Sequence, residues 1–246
     1  MLSFLKNHPF AVEAFFEQSL VVTYAIPKGQ VQPLIPPCLE LDTLNNQWAF
    51  IAVAMVQTKG LRPKGFPEML GNDFFLIGFR VFVRYINRAG KNLRGLYILK
   101  SETDKKKMTF FGNIFTHYNY TTTDIEQSVQ NGVTAIQSNR SAFHIQLEEG
   151  ADDNISLPAG SPFTDWKEAR RFAGPLPFTF TYDEPNRKVL IIEGVRQNWK
   201  PAPVKVIDCR FSFIDNLKLT GVQLANAFVI RNIPYYWKKG KIEQWK

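Results

Sequence analysis

Nine stretches of this chain are dense in β-branched and aromatic residues: Leu20–Ile26, Trp48–Val56, Phe74–Tyr85, Leu93–Glu102, Met108–Phe115, Ala142–Glu148, Leu176–Tyr182, Val189–Arg196 and Val204–Phe213. Such side chains are stiff at χ1 and pack well on a pleated surface, so each stretch reads as a strand. Turn formers at Asn45-Asn46, Ala89-Gly90 and Glu184-Pro185-Asn186 separate several of them. A chain built this way folds mostly as sheet, in the α+β class. Two helices are expected beside the strands. Asp165–Ala173 has an N-cap at Asp165, a capping-box partner at Glu168, a stop at Gly174 and Pro175 beyond it. A second helix is expected to begin near Asp124 and run toward Gly132.

The chain has 246 residues, 45% of them hydrophobic, enough for one sizeable core. Leu157–Pro162 and Lys200–Pro203 are Pro-rich but too short to act as linkers, so residues 1–246 read as a single domain. An aromatic content of 14%, with 21 Phe, suits strands arranged around a lined pocket.

The same composition argues against several functions. No apolar run approaches the roughly 18 residues of a membrane span, and Met1–Asn7 is too short for a secretory signal before Pro9. A cytoplasmic protein is expected. Cys38 and Cys209, with three scattered histidines, form neither a disulfide framework nor an evident zinc site. No metal or cofactor is called for. The net charge of +8 is spread along the sequence and gathers only at Lys105–Lys107 and Lys238–Lys246, which argues against nucleic acid as a partner. Lys105–Lys107 reads as a solvated turn, and the C-terminal end as packed with its lysines in water.

Charges inside apolar strands are informative, because a buried charge must be paired or used. Alternation puts Leu76, Gly78, Arg80, Phe82 and Arg84 on one face of their strand, so Arg80 would line a cavity and Arg84 its rim. In the next strand Leu96, Ile98, Lys100 and Glu102 share a face that a hairpin would bring beside those arginines. A cross-strand Arg–Glu pair on the outside is the competing arrangement. Glu193 lies on the face of Val189 and Ile191, with Arg196 on the opposite one. From Glu193 to Pro201 the chain gathers a carboxylate, a guanidinium, two amides, an amine and the Trp199 indole. Such a set suits a carboxylate or polar ligand, with Arg196 as a bidentate clamp. His144 alternates onto a polar face with Gln146 and Glu148 and reads as exposed.

The run Phe16–Tyr24 followed by Ile35-Pro36-Pro37-Cys38-Leu39-Glu40-Leu41-Asp42 resembles the opening of the acetoacetate-decarboxylase-like superfamily. Arg80–Arg84, Gly95-Leu96-Tyr97 and Phe111-Gly112-Asn113-Ile114-Phe115 resemble its uncharacterised branch. The resemblance implies a closed, cone-like antiparallel β-barrel with flanking helices and an interior cavity. It also implies a possible chemistry, in which a cavity lysine of depressed pKa forms an imine with a keto acid. The corresponding turn here is Thr116-His117-Tyr118-Asn119-Tyr120, without a lysine. Gln18 or Ser19 stands where the decarboxylases have an arginine, and Leu76 or Ile77 where they have a glutamate.

These residues support a pocket for a small organic acid or carbonyl compound, with Arg80, Arg84, Glu193, Arg196 and Trp199 as ligand-binding candidates. A second reading is a lyase, hydratase or hydrolase using acid–base chemistry. Its candidates are His117, an acid or base near neutral pH, Lys100, an amine, and Glu102. A third is an interaction protein using the basic aromatic segment Tyr235–Lys246.

Overall fold

Every second side chain of a strand changes face, and in the long strand over Phe74–Tyr85 the two faces go to different places. The computed structural model of the chain describes residues 3–149, 155–174, 176–197 and 199–245. In it Ile77, Phe79, Val81, Val83 and Tyr85 enter the main core, whereas Leu76, Arg80 and Phe82 face an interior cavity. Pro175, Asn198 and Lys246 lie outside the described residues.

In chain order, β1 (Val12–Pro27) is followed by α1 (Lys28–Val31), β2 (Glu40–Leu41), β3 (Trp48–Pro63), β4 (Asn72–Ile86), β5 (Asn92–Thr103), α2 (Lys106–Phe115) and β6 (Tyr120–Thr122). Then come β7 (Glu126–Gln130), β8 (Val133–Ser138), β9 (Phe143–Glu148) and α3 (Trp166–Phe172). The last part holds β10 (Phe178–Asp183), β11 (Lys188–Arg196), β12 (Ala202–Pro203), β13 (Lys205–Phe211), α4 (Ser212–Asn216), β14 (Gln223–Trp237) and β15 (Lys241–Gln244).

The larger sheet closes on itself. Its order β14-β1-β3-β4-β5-β10-β11 returns to β14 because β11 pairs with β14. These neighbours are antiparallel except β5 and β10. The smaller sheet, β13-β9-β8-β7, packs on the outside of this ring. There Ile136, Ile145 and Leu147 meet Leu20, Val53 and Ile77, all buried. Burying each such side chain is worth about 1.5–3 kcal/mol, so this seam holds the two sheets together. One end of the ring is covered by α2. The other is plugged by α3 with Phe163, Phe172 and Leu176, against Phe50 and Phe82 from the inner face.

Two expectations about elements need correction, and one strand was not expected at all. Met108–Phe115 is the helix α2, not a strand: Met108, Phe111, Gly112 and Phe115 recur at helical spacing along one cavity wall. Asp124–Gly132 is not a helix. Its residues Asn131 and Gly132, with φ of 50° and 78°, form the turn of the β7–β8 hairpin, and Asn-Gly is a strong hairpin signal. Finally, Gln223–Trp237 is a strand of 15 residues at the heart of the ring, where Pro234 and two asparagines weaken the strand pattern. The helix at Trp166–Phe172 follows the expected chemistry, with the Asp165 carboxylate accepting from the Glu168 amide at 2.7 Å. All three expected turns join adjacent strands or a bridge, at Asn45-Asn46, Ala89-Gly90 and Glu184–Asn186.

Candidate functional site

The seven strands of the ring and β6 contribute to a cavity of about 130 Å³ inside the ring, where one water needs ~10–15 Å³. Arg80 enters from β4 and Arg196 from β11, with Tyr235 from β14, Tyr118 and Tyr120 from the segment after α2, and Trp199 beyond β11. Among the described residues, none of the lining side chains is Asp, Glu or Lys.

The guanidinium groups have little protein to bind. Arg80 Nε, Arg196 Nη2 and Trp199 Nε1 are buried without a hydrogen-bond partner among the described residues. Arg196 lies over the Trp199 ring at 4.5 Å and near the Tyr235 ring at 5.7 Å. Burial pulls the pKa of both arginines below the usual value, and at Arg196 the Arg80 charge adds to the lowering. Burial also raises the phenols: Tyr120 to about 12, and Tyr118 and Tyr235 likewise upward. The hydroxyls therefore stay neutral and do not compensate the arginines. A buried charge costs several kcal/mol unless it is paired; both arginines are half-buried, and among the described residues no acidic side chain lines the cavity with them.

Two glycines make room for these groups. Gly78 lies two residues before Arg80 on the same face, and a Cβ there would sit 2.8 Å from Arg80 Nε. At Gly194 a Cβ would sit 2.7 Å from Tyr235 Cζ and closer still to its oxygen. A glycine inside a strand marks such a close approach.

Of the sequence-derived candidates, Arg80, Arg196 and Trp199 come together in this cavity; the others do not. Arg84 lies toward the α3 end, where it and Arg94 both bind the fully buried Asp42 at 2.6 Å. Glu193 pairs outside with Lys238 at 2.9 Å. Lys100 and Glu102 point away from the cavity, against the expected alternation. The pairing of β4 with β5 runs Phe79↔Lys100 and then Arg80↔Ile98, leaving Leu99 as an extra residue. That bulge re-phases the strand, so Ile98 and Ser101 line the cavity. Lys100 instead binds Glu102 at 2.6 Å and lies over Phe213 of α4, and Glu102 accepts from Ser141. His117 is half-buried and does not line the cavity; burial, then Lys6, lowers its pKa. The sequence reading missed Tyr118, Tyr120 and Tyr235.

Two further cavities flank the interior one. Toward α2 lies a chamber of about 300 Å³ with mostly apolar walls, and toward α3 one of about 310 Å³ reached by Lys167, Arg170 and the buried Asn226. Neither amide atom of Asn226 has a partner. No described helix is long and apolar enough to cross a membrane.

Comparison with known proteins places this geometry. No curated protein matches the chain. Acetoacetate decarboxylase from Legionella pneumophila subsp. pneumophila str. Philadelphia 1 superposes with a TM-score of 0.63, over 96% of this chain and 89% of its own, at 10% identity. An acetoacetate decarboxylase-like enzyme from Sphingomonas wittichii RW1 gives 0.59 over 97% and 94% at 11% identity. The enduracididine biosynthesis enzyme MppR, complexed with the condensation product of pyruvate and imidazole 4-carboxaldehyde, gives 0.56 over 95% and 89% at 11% identity. At such identities the likeness is one of fold, and chemistry must be argued from the site. In sequence, residues 14–236 match the family DUF2071, described as an uncharacterized conserved protein. The chain therefore belongs to the DUF2071 family and has the fold of acetoacetate decarboxylase.

Proposed function

We propose that the chain, as a single cone-like barrel domain, binds a small organic acid inside the ring, with the carboxylate between Arg80 and Arg196. The observation that carries this is the pair of half-buried arginines, each with a buried guanidinium nitrogen that has no partner among the described residues, facing a cavity whose described lining has no acidic side chain. A bound carboxylate supplies the missing counter-charge and accepts from planar donors in bidentate fashion. Trp199 Nε1 and the neutral phenols are placed to hold the rest of a small polar ligand. MppR, of similar fold, has been solved with pyruvate, which supports a keto or carboxylic acid as the ligand class. Imine formation is left out of this reading, because Lys100 faces α4 and the interior lining offers no amine among the described residues.

The test is a thermal-shift and calorimetric panel of acetate, pyruvate, acetoacetate and butyrate, with the matching amides as neutral controls. Acids are expected to raise the melting temperature with concentration, as any ligand of the native state does. Amides should not. Arg80→Met and Arg196→Met should each lower acid affinity by at least about tenfold, the loss of one charged hydrogen-bonding partner. A panel in which no acid binds, or in which both variants bind as the wild type does, overturns the proposal. Borohydride treatment with pyruvate, read by intact mass, should leave the chain unmodified.

A further inference from the structure

The interior cavity does not end at its arginines. Phe16, Leu76, Tyr118, Tyr120 and Trp237 line both it and the chamber under α2. The two spaces therefore meet at side chains, several of them aromatic, which turn with less cost than a strand would move. Beyond this partition the chamber walls are chiefly carbon, from Phe10, Phe74, Met108, Phe111 and Phe115. Arg62, bound to Glu13 at 3.0 Å, and the exposed Lys107 also reach the chamber, and His8 and Thr58 add polar atoms to its wall. Its volume of about 300 Å³ exceeds that of the charged cavity. Of its lining residues Phe10 and Phe111 are 36% and 42% exposed, and Phe110, 5.3 Å from the Phe111 ring, is 62% exposed, an apolar surface on an otherwise basic chain.

We infer that the ligand is an amphipathic carboxylic acid of about six to ten carbons, its carboxylate at Arg80 and Arg196 and its hydrocarbon tail in the α2 chamber. The inference rests on the reading of the arginine pair given above and adds the tail. A compartment with two arginines and no acidic side chain in its described lining, adjoining one whose walls are chiefly carbon, is complementary to one molecule having both an anionic and an apolar part. The chamber toward α3 is the alternative outlet, but Lys167, Arg170 and Asn226 make it suited to polar groups. It would favour a second anionic end over a methyl terminus.

The experiment is calorimetry on the full chain with acetate, butyrate, hexanoate, octanoate and the dicarboxylate suberate, all below micellar concentrations. Each added methylene should tighten binding by roughly three- to fourfold, the transfer of one CH₂ out of water, until the chamber is filled. Octanoate should bind at least tenfold more tightly than suberate. Leu61→Trp, which places an indole in the chamber, and Phe111→Ser, which removes an exposed apolar wall, should each collapse the ratio of octanoate to butyrate affinity. Arg80→Met should weaken every acid.

Affinity that is flat or falling beyond butyrate overturns the tail while leaving the arginine site standing. So does suberate surpassing octanoate. Octanoate binding that ignores Arg80→Met is adsorption to the apolar rim and overturns the tail together with the head. If no acid of any length binds, the arginine reading itself has failed.

Discussion

Gly194 stands opposite Trp237 where β11 meets β14, and the Tyr235 ring occupies the space its side chain would take. A methyl group there forces the ring to move in a packed interior, which costs about 1–3 kcal/mol. Gly194→Ala is therefore expected to lower the unfolding free energy measured in urea by that amount. Adding Tyr235→Phe should recover part of the loss, because the closest atom to the new methyl is the phenol oxygen. Full additivity of the two substitutions in urea melts would show that they do not share a cause. At this scale the sequence announced part of the site. Arg80, Arg196 and Trp199 stand out because a guanidinium or a dense set of donors is costly inside an apolar strand. Tyrosine gives no such warning: it is at home on either face of a strand, so Tyr118, Tyr120 and Tyr235 pass as ordinary packing. The available signal was glycine, since Gly78 and Gly194 interrupt strands without a turn to explain them.

Elements were legible where local chemistry decides them and illegible where tertiary context does. The capping residues of α3 act within one turn, and the Asp165 carboxylate accepts from the Glu168 amide while Glu168 accepts from the Thr164 amide and hydroxyl at 2.7 and 2.9 Å. Asp165→Ala should cost about 1 kcal/mol, as a lost N-cap does. Because Phe172 and Ala173 plug the ring, the same change should also loosen that end. The check is a thermal melt of Asp165→Ala beside Asp165→Asn, which retains a capping oxygen and should melt close to the wild type. An equal loss in both would assign the effect to charge rather than to the cap. By contrast, nothing within Leu93–Glu102 announces that Leu99 is a bulge. The bulge exists because β5 must follow the curvature of a closed sheet, and it decides that Lys100 faces α4 while Ser101 faces the cavity. Likewise the run Met108–Phe115 is apolar enough to pass for a strand, and its helical spacing at Met108, Phe111, Gly112 and Phe115 gains its meaning from the ring opening that this face roofs.

Over the whole molecule the ring is unevenly sewn. β1 pairs with β14 from Val12 to Ala25, and with β3 from Val12 to Pro27. The β10–β11 hairpin is held by shorter ladders: Phe178–Phe180 against Gly95–Tyr97 on one side, and on the other Gly194–Arg196 against Tyr235–Trp237 and Lys188–Ile191 against the four residues of β15. Short ladders open at lower free energy than long ones, so this hairpin is expected to exchange its amide hydrogens faster than the centres of β1, β3 and β4. Arg196 sits on the hairpin and Arg80 on the long-paired body. A carboxylate held by both would tie the two together across the cavity. Hydrogen exchange followed by mass spectrometry should therefore show peptides over residues 178–182 and 189–197 slowed by a bound acid, with little change in 49–56. In Arg196→Met the free-state exchange should remain fast and the acid should no longer slow it. If the hairpin is as protected as β3 in the free protein, the seams are not the weak points of the ring. If the acid slows every strand equally, it stabilises the native state as a whole rather than bridging these two parts.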